Sequence, residues 1–153
     1  DAYTCEIIFT GPLYKGTAQT QNRFRIDAGY RTGTLKKPVW KMIKSQYPET
    51  TEQFLVLAMD EQEVFIEKVL ALLGRKKGRD LYDTWFLLQA KVPFDKNLFL
   101  KKRVLEKVRR EHQHLPTKQE YERDMARLTS KTIPYEQIQR EVQLFLENIS
   151  KRQ

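Results

Sequence analysis

The chain has 153 residues, enough for one domain with its own core or for a compact piece of a larger one. A hydrophobic share of 40% and a charged share of 31% exclude a disordered chain. The net charge of +8 favours an anionic partner, with nucleotides and nucleic acid the first candidates. Cys5 is the only cysteine, which excludes an internal disulfide and fits a reducing cytoplasm, and no apolar run approaches membrane-spanning length.

The first part of the chain is expected to form a small, mainly antiparallel sheet. β-branched and aromatic residues over 3–10 predict a strand, and the alternation over 23–30 predicts a second strand that pairs with it as a hairpin. Residues 31–50 are typical of an extended loop with room for one short element. The continuous apolar run over 54–59 predicts a buried strand.

The rest of the chain is expected to be helical. The predicted fold class is therefore α+β, with a small antiparallel sheet over residues 1–60 and a helical C-terminal bundle over residues 61–153. Asp60 is expected to cap the first helix, with Glu63 completing a capping box. A core helix is predicted next, and three amphipathic helices are predicted after it, over residues 96–111, 117–129 and 134–150.

The helix predicted over 96–111 has two different sides. Its apolar side is expected to hold Leu98, Leu100, Val104, Leu105 and Val108. Its basic side is expected to hold Lys101, Lys102, Arg103, Lys107, Arg109 and Arg110. A basic side of this kind is usually a solvated surface, and the alternative is a track for nucleic-acid phosphates. The nearby histidines, His112 and His114, are expected to be helix-end residues rather than metal ligands.

Opposite charges are concentrated where the first two helices are predicted to meet. Lys68 and Arg75 are seven residues apart, so they share one face of the first helix. Asp80 and Asp83 open the second helix, where carboxylates suit the positive pole and can cap free N–H groups. Arg79 adds another cation at the turn. We call this set the charged corner.

Two interpretations of the charged corner remain open. Gly74 and Gly78 are expected to act as helix stop signals, because glycine accepts a left-handed backbone without penalty. For each charged residue alone, helix capping and local ion pairing is the favoured interpretation. The whole cluster exceeds what capping requires, and it indicates a site for a phosphate-bearing ligand.

A longer pattern surrounds the corner and reads Glu67-Lys68, then Ala71, Arg75 and Arg79-Asp80-Leu81-Tyr82-Asp83, followed by Thr84-Trp85-Phe86-Leu87-Leu88. This pattern resembles a signature of the AbiEii nucleotidyltransferase toxin family, whose members are similar to polymerase-beta-type nucleotidyltransferases. The resemblance covers roughly the first 90 residues and the basic tail only loosely. It implies transfer from a nucleoside triphosphate with Mg²⁺ to an RNA such as tRNA or to a protein. A cognate antitoxin is the implied protein partner.

The resemblance also implies roles for individual residues. Lys68, Asp80 and Asp83 would be catalytic, with a carboxylate orienting Lys68 or an acceptor hydroxyl. Phosphates would be met by Lys68, Arg75 and Arg79.

Asp27 is the implied metal ligand. Spacing alone favours an ordinary solvent-facing strand residue balanced by Arg25. The resemblance points instead to the third metal-binding carboxylate of the fold, which lies on a strand, and Mg²⁺ prefers such oxygen ligands.

The sequence departs from the family pattern in one respect. The first two metal-binding carboxylates normally follow a Gly-Ser turn as Asp-x-Asp, and neither motif occurs in these residues. The chain also enters a strand-like pattern directly from Asp1, so we expect it to be the C-terminal part of a nucleotidyltransferase that is inactive alone. The alternative from another class is a non-catalytic, basic binding module for nucleic acid or a protein partner.

Overall fold

The computed structural model describes residues 2–29, 33–45, 49, 51–108, 115–129 and 133–151. Those residues form strands and five α-helices, which confirms the predicted α+β class. The chain divides into two compact units, residues 1–33 and residues 34–153. The functional division at residue 60 stays a prediction. Two arginines predicted on the basic side of the third helix and two predicted helix-end histidines lie outside the described residues: Arg109, Arg110, His112 and His114.

The first unit contains the predicted hairpin. Strand β1, Ala2–Phe9, pairs antiparallel with strand β2, Asn22–Gly29. The register places Thr4 opposite Asp27. This register fixes the surroundings of the Asp27 carboxylate.

The second unit begins with a two-stranded ribbon. Strand β3, Val39–Lys44, pairs antiparallel with strand β4, Gln53–Ala58. The strand predicted over 54–59 is therefore present, but its predicted burial is wrong: Phe54, Leu55 and Leu57 are each 57% exposed. A continuous apolar run indicates burial only where both faces of a sheet are covered. Within the described residues, β4 has β3 as its only strand neighbour.

The described residues of the second unit that follow this ribbon contain five helices. Their bounds are α1 Glu61–Arg75, α2 Gly78–Gln89, α3 Lys96–Leu105, α4 Lys118–Met125 and α5 Tyr135–Lys151. Buried side chains from all five meet in one core, including Phe65, Leu81, Phe99, Tyr121 and Ile138. The apolar side predicted for α5 thus packs on the core of its own chain. No helix in the described part of the chain is long and apolar enough to cross a membrane.

The helix ends agree only partly with the expected signals. The Thr117 and Glu120 capping box is present at the start of α4, as its spacing predicts. The prediction that Gly74 and Gly78 end helices is wrong. Gly74 lies inside α1, and Lys76 takes the left-handed conformation (φ 53°) that ends that helix. Gly78 is the first residue of α2 instead.

Glu63 does not complete the capping box expected at the start of α1. Asp60 does cap the helix, because its side chain accepts the Gln62 N–H at 3.0 Å. The Glu63 carboxylate instead points inward and accepts the backbone N–H groups of Leu35 at 2.7 Å and Lys36 at 2.9 Å. Through these two hydrogen bonds, Glu63 holds the segment before β3 against α1.

The orientation of α3 also differs from the expectation. Lys102, expected on the basic outer side, is only 2% exposed, whereas Val104 and Leu105 are 75% and 51% exposed. The Lys102 ammonium pairs with Glu63 at 2.8 Å and with Glu67. Burying a cation costs much free energy unless anions pair with it, and two carboxylates of α1 do so here. We call Lys102, Glu63 and Glu67 the buried ion cluster.

Glu106 adjoins the buried ion cluster and should make stability depend on pH. Burial, and next the charge of Glu67, raise the pKa of its carboxyl group. Because the pKa of Glu106 is higher in the folded state, its contribution to stability is complete at pH values below its pKa in the unfolded state. The contribution is lost as the pH rises through its pKa in the folded state. Glu106→Gln should therefore unfold at a higher denaturant concentration than the parent at pH 7, and its advantage should vanish near pH 4. An advantage that grows on acidification would contradict this assignment.

Candidate functional site

The charged corner forms where α1 and α2 run antiparallel. Lys68 Nζ lies 2.6 Å from Asp83 Oδ2, and both side chains are 36% exposed. Closer to the connection between the helices, Arg75 Nε and Nη2 each donate to a different oxygen of Asp80, at 2.7 Å. Each of these two ion pairs connects α1 to α2. The same contacts therefore hold the helical hairpin together and fix the positions of Lys68 and Arg75.

The two carboxylates of the corner differ in accessibility. Asp80 is fully buried, and both of its oxygens are occupied by Arg75, so it positions the guanidinium and is shielded from a ligand. The hydrogen bond to Asp80 raises the pKa of Arg75, which stays charged. Asp83 is reachable from solvent and holds Lys68 in place. The geometry thus leaves Lys68, Asp83 and the half-exposed Arg75 guanidinium accessible to a ligand, whereas Asp80 is not.

Arg79 takes no part in these two ion pairs. It is exposed at the start of α2, and the described residues offer it no ion pair. It lines a cleft together with Lys77, with Asp124 of α4, and with Arg127 and Leu128 of the turn that follows α4. The corner therefore holds two paired cations from α1 and one unpaired arginine from α2.

Asp27 lies in the first unit, whereas the other site residues lie in the second. Its Oδ1 accepts Thr4 Oγ1–H at 2.7 Å and Arg25 Nε–H at 2.9 Å. The Thr4 hydrogen bond, and next that of Arg25, lower the pKa of Asp27, so this exposed carboxylate is charged at neutral pH. The Asp27 carboxylate can therefore serve as a metal ligand, but one carboxylate is not enough to form a metal site.

The described residues do not by themselves fit a metal centre. A divalent cation of this kind needs several oxygen ligands, and across residues 2–29, 33–45, 49, 51–108, 115–129 and 133–151 no group of three or more His, Cys, Asp or Glu side chains could hold one. Asp27 also has Oδ1 engaged by two donors. No catalytic step can be derived from a metal held by these residues alone.

Fold and site together define an α+β protein with a helical hairpin that carries paired and unpaired cations at one corner. The family model described as "Nucleotidyl transferase AbiEii toxin, Type IV TA system" matches residues 3–152. The chain therefore belongs to the AbiEii nucleotidyltransferase toxin family of type IV toxin–antitoxin systems. The match extends through the basic tail, beyond the part that carried the sequence resemblance. No curated protein and no solved structure matches the chain.

Sequence reasoning missed several residues around the corner. Asp124 accepts the Gly78 N–H at 2.9 Å and so caps α2 from another helix. Burial alone would raise the pKa of Asp124, but the Gly78 hydrogen bond and the Arg123 charge outweigh it and lower the pKa. Arg127 reaches the same place from the end of α4. No local signal identifies these residues, because their partners lie more than forty positions away along the chain.

Proposed function

We propose that this chain supplies the phosphate-contacting part of a nucleotidyltransferase that moves a nucleotide from a triphosphate to an RNA, such as tRNA, or to a protein. The observation that carries the proposal is the 2.6 Å contact between Lys68 and Asp83 at the surface of the hairpin. A lysine fixed by a carboxylate presents a point charge at a constant place, which suits a phosphate whose charge develops during transfer. Family membership supports the reaction class.

Each charged residue has a separate task in this proposal. Lys68 contacts a phosphate of the nucleotide, and Asp83 orients Lys68 or an acceptor hydroxyl. Asp80 positions Arg75 from inside the core, and Arg75 and Arg79 add guanidinium donors for phosphate oxygens. The buried partner and the bidentate contact make Arg75 the most rigid of the three cations.

We propose Asp27 as one carboxylate ligand of the Mg²⁺ that the family reaction implies. The other two carboxylates are proposed to come from outside these 153 residues, because they contain neither Gly-Ser nor Asp-x-Asp. On this proposal the chain is inactive alone. The cytoplasm is the proposed compartment, and a cognate antitoxin is the proposed protein partner.

Removing the Lys68 ammonium should reduce transfer about 10- to 100-fold, because one charge-assisted hydrogen bond contributes roughly 1.5–3 kcal/mol. The measurement is labelled-nucleotide transfer to bulk tRNA and to protein, using the protein of the complete natural reading frame and Lys68→Ala. Lys118→Ala is the matched control, because Lys118 also pairs with a carboxylate at 2.7 Å, on the exposed surface. Equal rates for the Lys68 variant and the parent would refute the proposed role.

The second candidate is a non-catalytic binding module, which the excess of basic residues favours. It predicts nucleic-acid or protein binding with no label transfer under any of these conditions. The same assay therefore separates the two candidates when it is run beside a direct binding measurement.

A further inference from the structure

A cleft of about 230 Å³ lies beside the charged corner, between the start of α2 and the end of α4. Among the residues that the structure describes, those lining the cleft are Lys77, Arg79, Asp124, Arg127 and Leu128. Three of these five side chains are cations and one is an anion, so the cleft carries an excess of positive charge. Neither Lys77 nor Arg127 belongs to the ion pairs that hold the helical hairpin together.

Asp124, the carboxylate in the described lining of the cleft, interacts with the charge of Lys77 but forms no salt bridge with Lys77, Arg79 or Arg127. Asp124 Oδ2 accepts the Gly78 N–H at 2.9 Å, and Oδ1 lies 3.5 Å from Arg123 Nε. In the part of the chain that the structure describes, Lys77, Arg79 and Arg127 have no ion-pair partner. Three unpaired cations in one concave place attract an anion with several oxygens.

The walls of the cleft are held rigidly. Gly78 packs so closely on α4 that a Cβ added there would meet Tyr121 Cα at 2.6 Å. Asp124 ties the same backbone position to α4 by its hydrogen bond. The backbone positions that carry the cations therefore keep a fixed spacing, which reduces the entropy lost when a ligand binds.

We propose that this cleft binds a phosphate group of a polynucleotide backbone, with Lys77, Arg79 and Arg127 as the contacting cations. The cleft is smaller than the roughly 300–1,000 Å³ pockets that enclose a small-molecule ligand. It fits one phosphate of a longer strand better than a whole nucleoside triphosphate. Leu128, which is 62% exposed, offers an apolar surface for the adjoining sugar or base.

The proposal goes beyond nucleotidyl transfer, because a backbone-phosphate site serves a transferase and a binding module equally. A failure of label transfer therefore leaves it standing. If changing the cleft residues leaves RNA binding unaffected, the Lys68 and Asp83 pair still stands as the proposed nucleotide contact. The two proposals are thus distinguishable by separate readouts, binding for one and transfer for the other.

The test is the affinity of this chain for a short single-stranded RNA as a function of salt, measured by fluorescence anisotropy. The variant is the double change Lys77→Ala and Arg127→Ala. Each phosphate contact contributes about 0.7 to the slope of log affinity against log salt. Losing the one phosphate contact of the cleft should reduce the slope by about 0.7, which is roughly 5-fold in affinity between 1 M and 0.1 M salt.

The matched control is the double change Lys15→Ala and Arg140→Ala, which removes the same charge from exposed positions elsewhere. It should leave the slope almost unchanged. An equal loss in the control would overturn the proposal, because net charge alone would then explain binding. A loss of ATP affinity with an unchanged RNA slope in the cleft variant would also overturn it, since the cleft would then serve the nucleotide.

Discussion

Replacing Lys102 with methionine should lower the free energy of unfolding by about 3–5 kcal/mol, because it leaves Glu63 and Glu67 close together without their cation. Lys102 is 2% exposed, and Glu63 is fully buried. Methionine has nearly the same length and volume as lysine, so lost packing contributes little. The measurement is urea unfolding at pH 7 followed by circular dichroism.

Lys101→Met is the matched control for this change. Lys101 is exposed beside Lys102, and its replacement should alter stability by no more than about 0.5 kcal/mol. Adding Glu63→Gln and Glu67→Gln to Lys102→Met should recover part of the loss, because no buried charge is then unpaired. Equal stability of the two lysine variants would contradict the buried ion cluster.

The same variant carries an expected pH dependence with a definite sign. Burial alone would raise the pKa of Glu63, but Lys102 and the two backbone N–H groups outweigh it and lower the pKa. The stability that Glu63 contributes is complete when the pH is above its pKa in the unfolded state. It is lost as the pH falls through its lower pKa in the folded state. The deficit of Lys102→Met should therefore shrink on acidification, as the unpaired carboxylates take up protons. A deficit that grows instead would contradict the ion pairing.

Gly78→Ala should lower the free energy of unfolding by about 2–3 kcal/mol, at the upper end of the usual range for overpacking. The new Cβ would lie 2.6 Å from Tyr121 Cα and 2.9 Å from the Glu120 carbonyl oxygen. Both atoms belong to the backbone of α4, so α2 and α4 must move apart. Chemical denaturation at neutral pH measures the change.

Gly74→Ala is the control for that prediction, because nothing lies within 4 Å of a Cβ at this position. Gly74 is inside α1, where alanine should stabilise the helix by roughly 1 kcal/mol relative to glycine. The two changes should therefore have opposite signs. A similar effect from both would show that close packing of α2 on α4 is not the cause.

The sequence by itself determined the elements whose signals are local. The β1–β2 hairpin follows from β-branched and aromatic residues over 3–10 and from alternation over 23–30, and α4 begins after Thr117 because its capping box lies within four residues. The sequence also placed Lys68, Arg75, Asp80 and Asp83 at one corner, because a short turn between two helices leaves them little freedom. Family membership was recognisable from the same residues.

Only the tertiary structure decided which charges face inward and which remain unpaired. Lys102 is buried because Glu63 and Glu67 lie opposite it on α1, although its own helix pattern had placed it outside. Arg127 and Asp124 join the start of α2 because α4 packs there, as the Gly78 hydrogen bond shows. Helical periodicity acts over three or four residues, whereas these partners are more than thirty apart and meet only when helices pack. The cost of leaving a buried charge unpaired then selects the orientation that satisfies it.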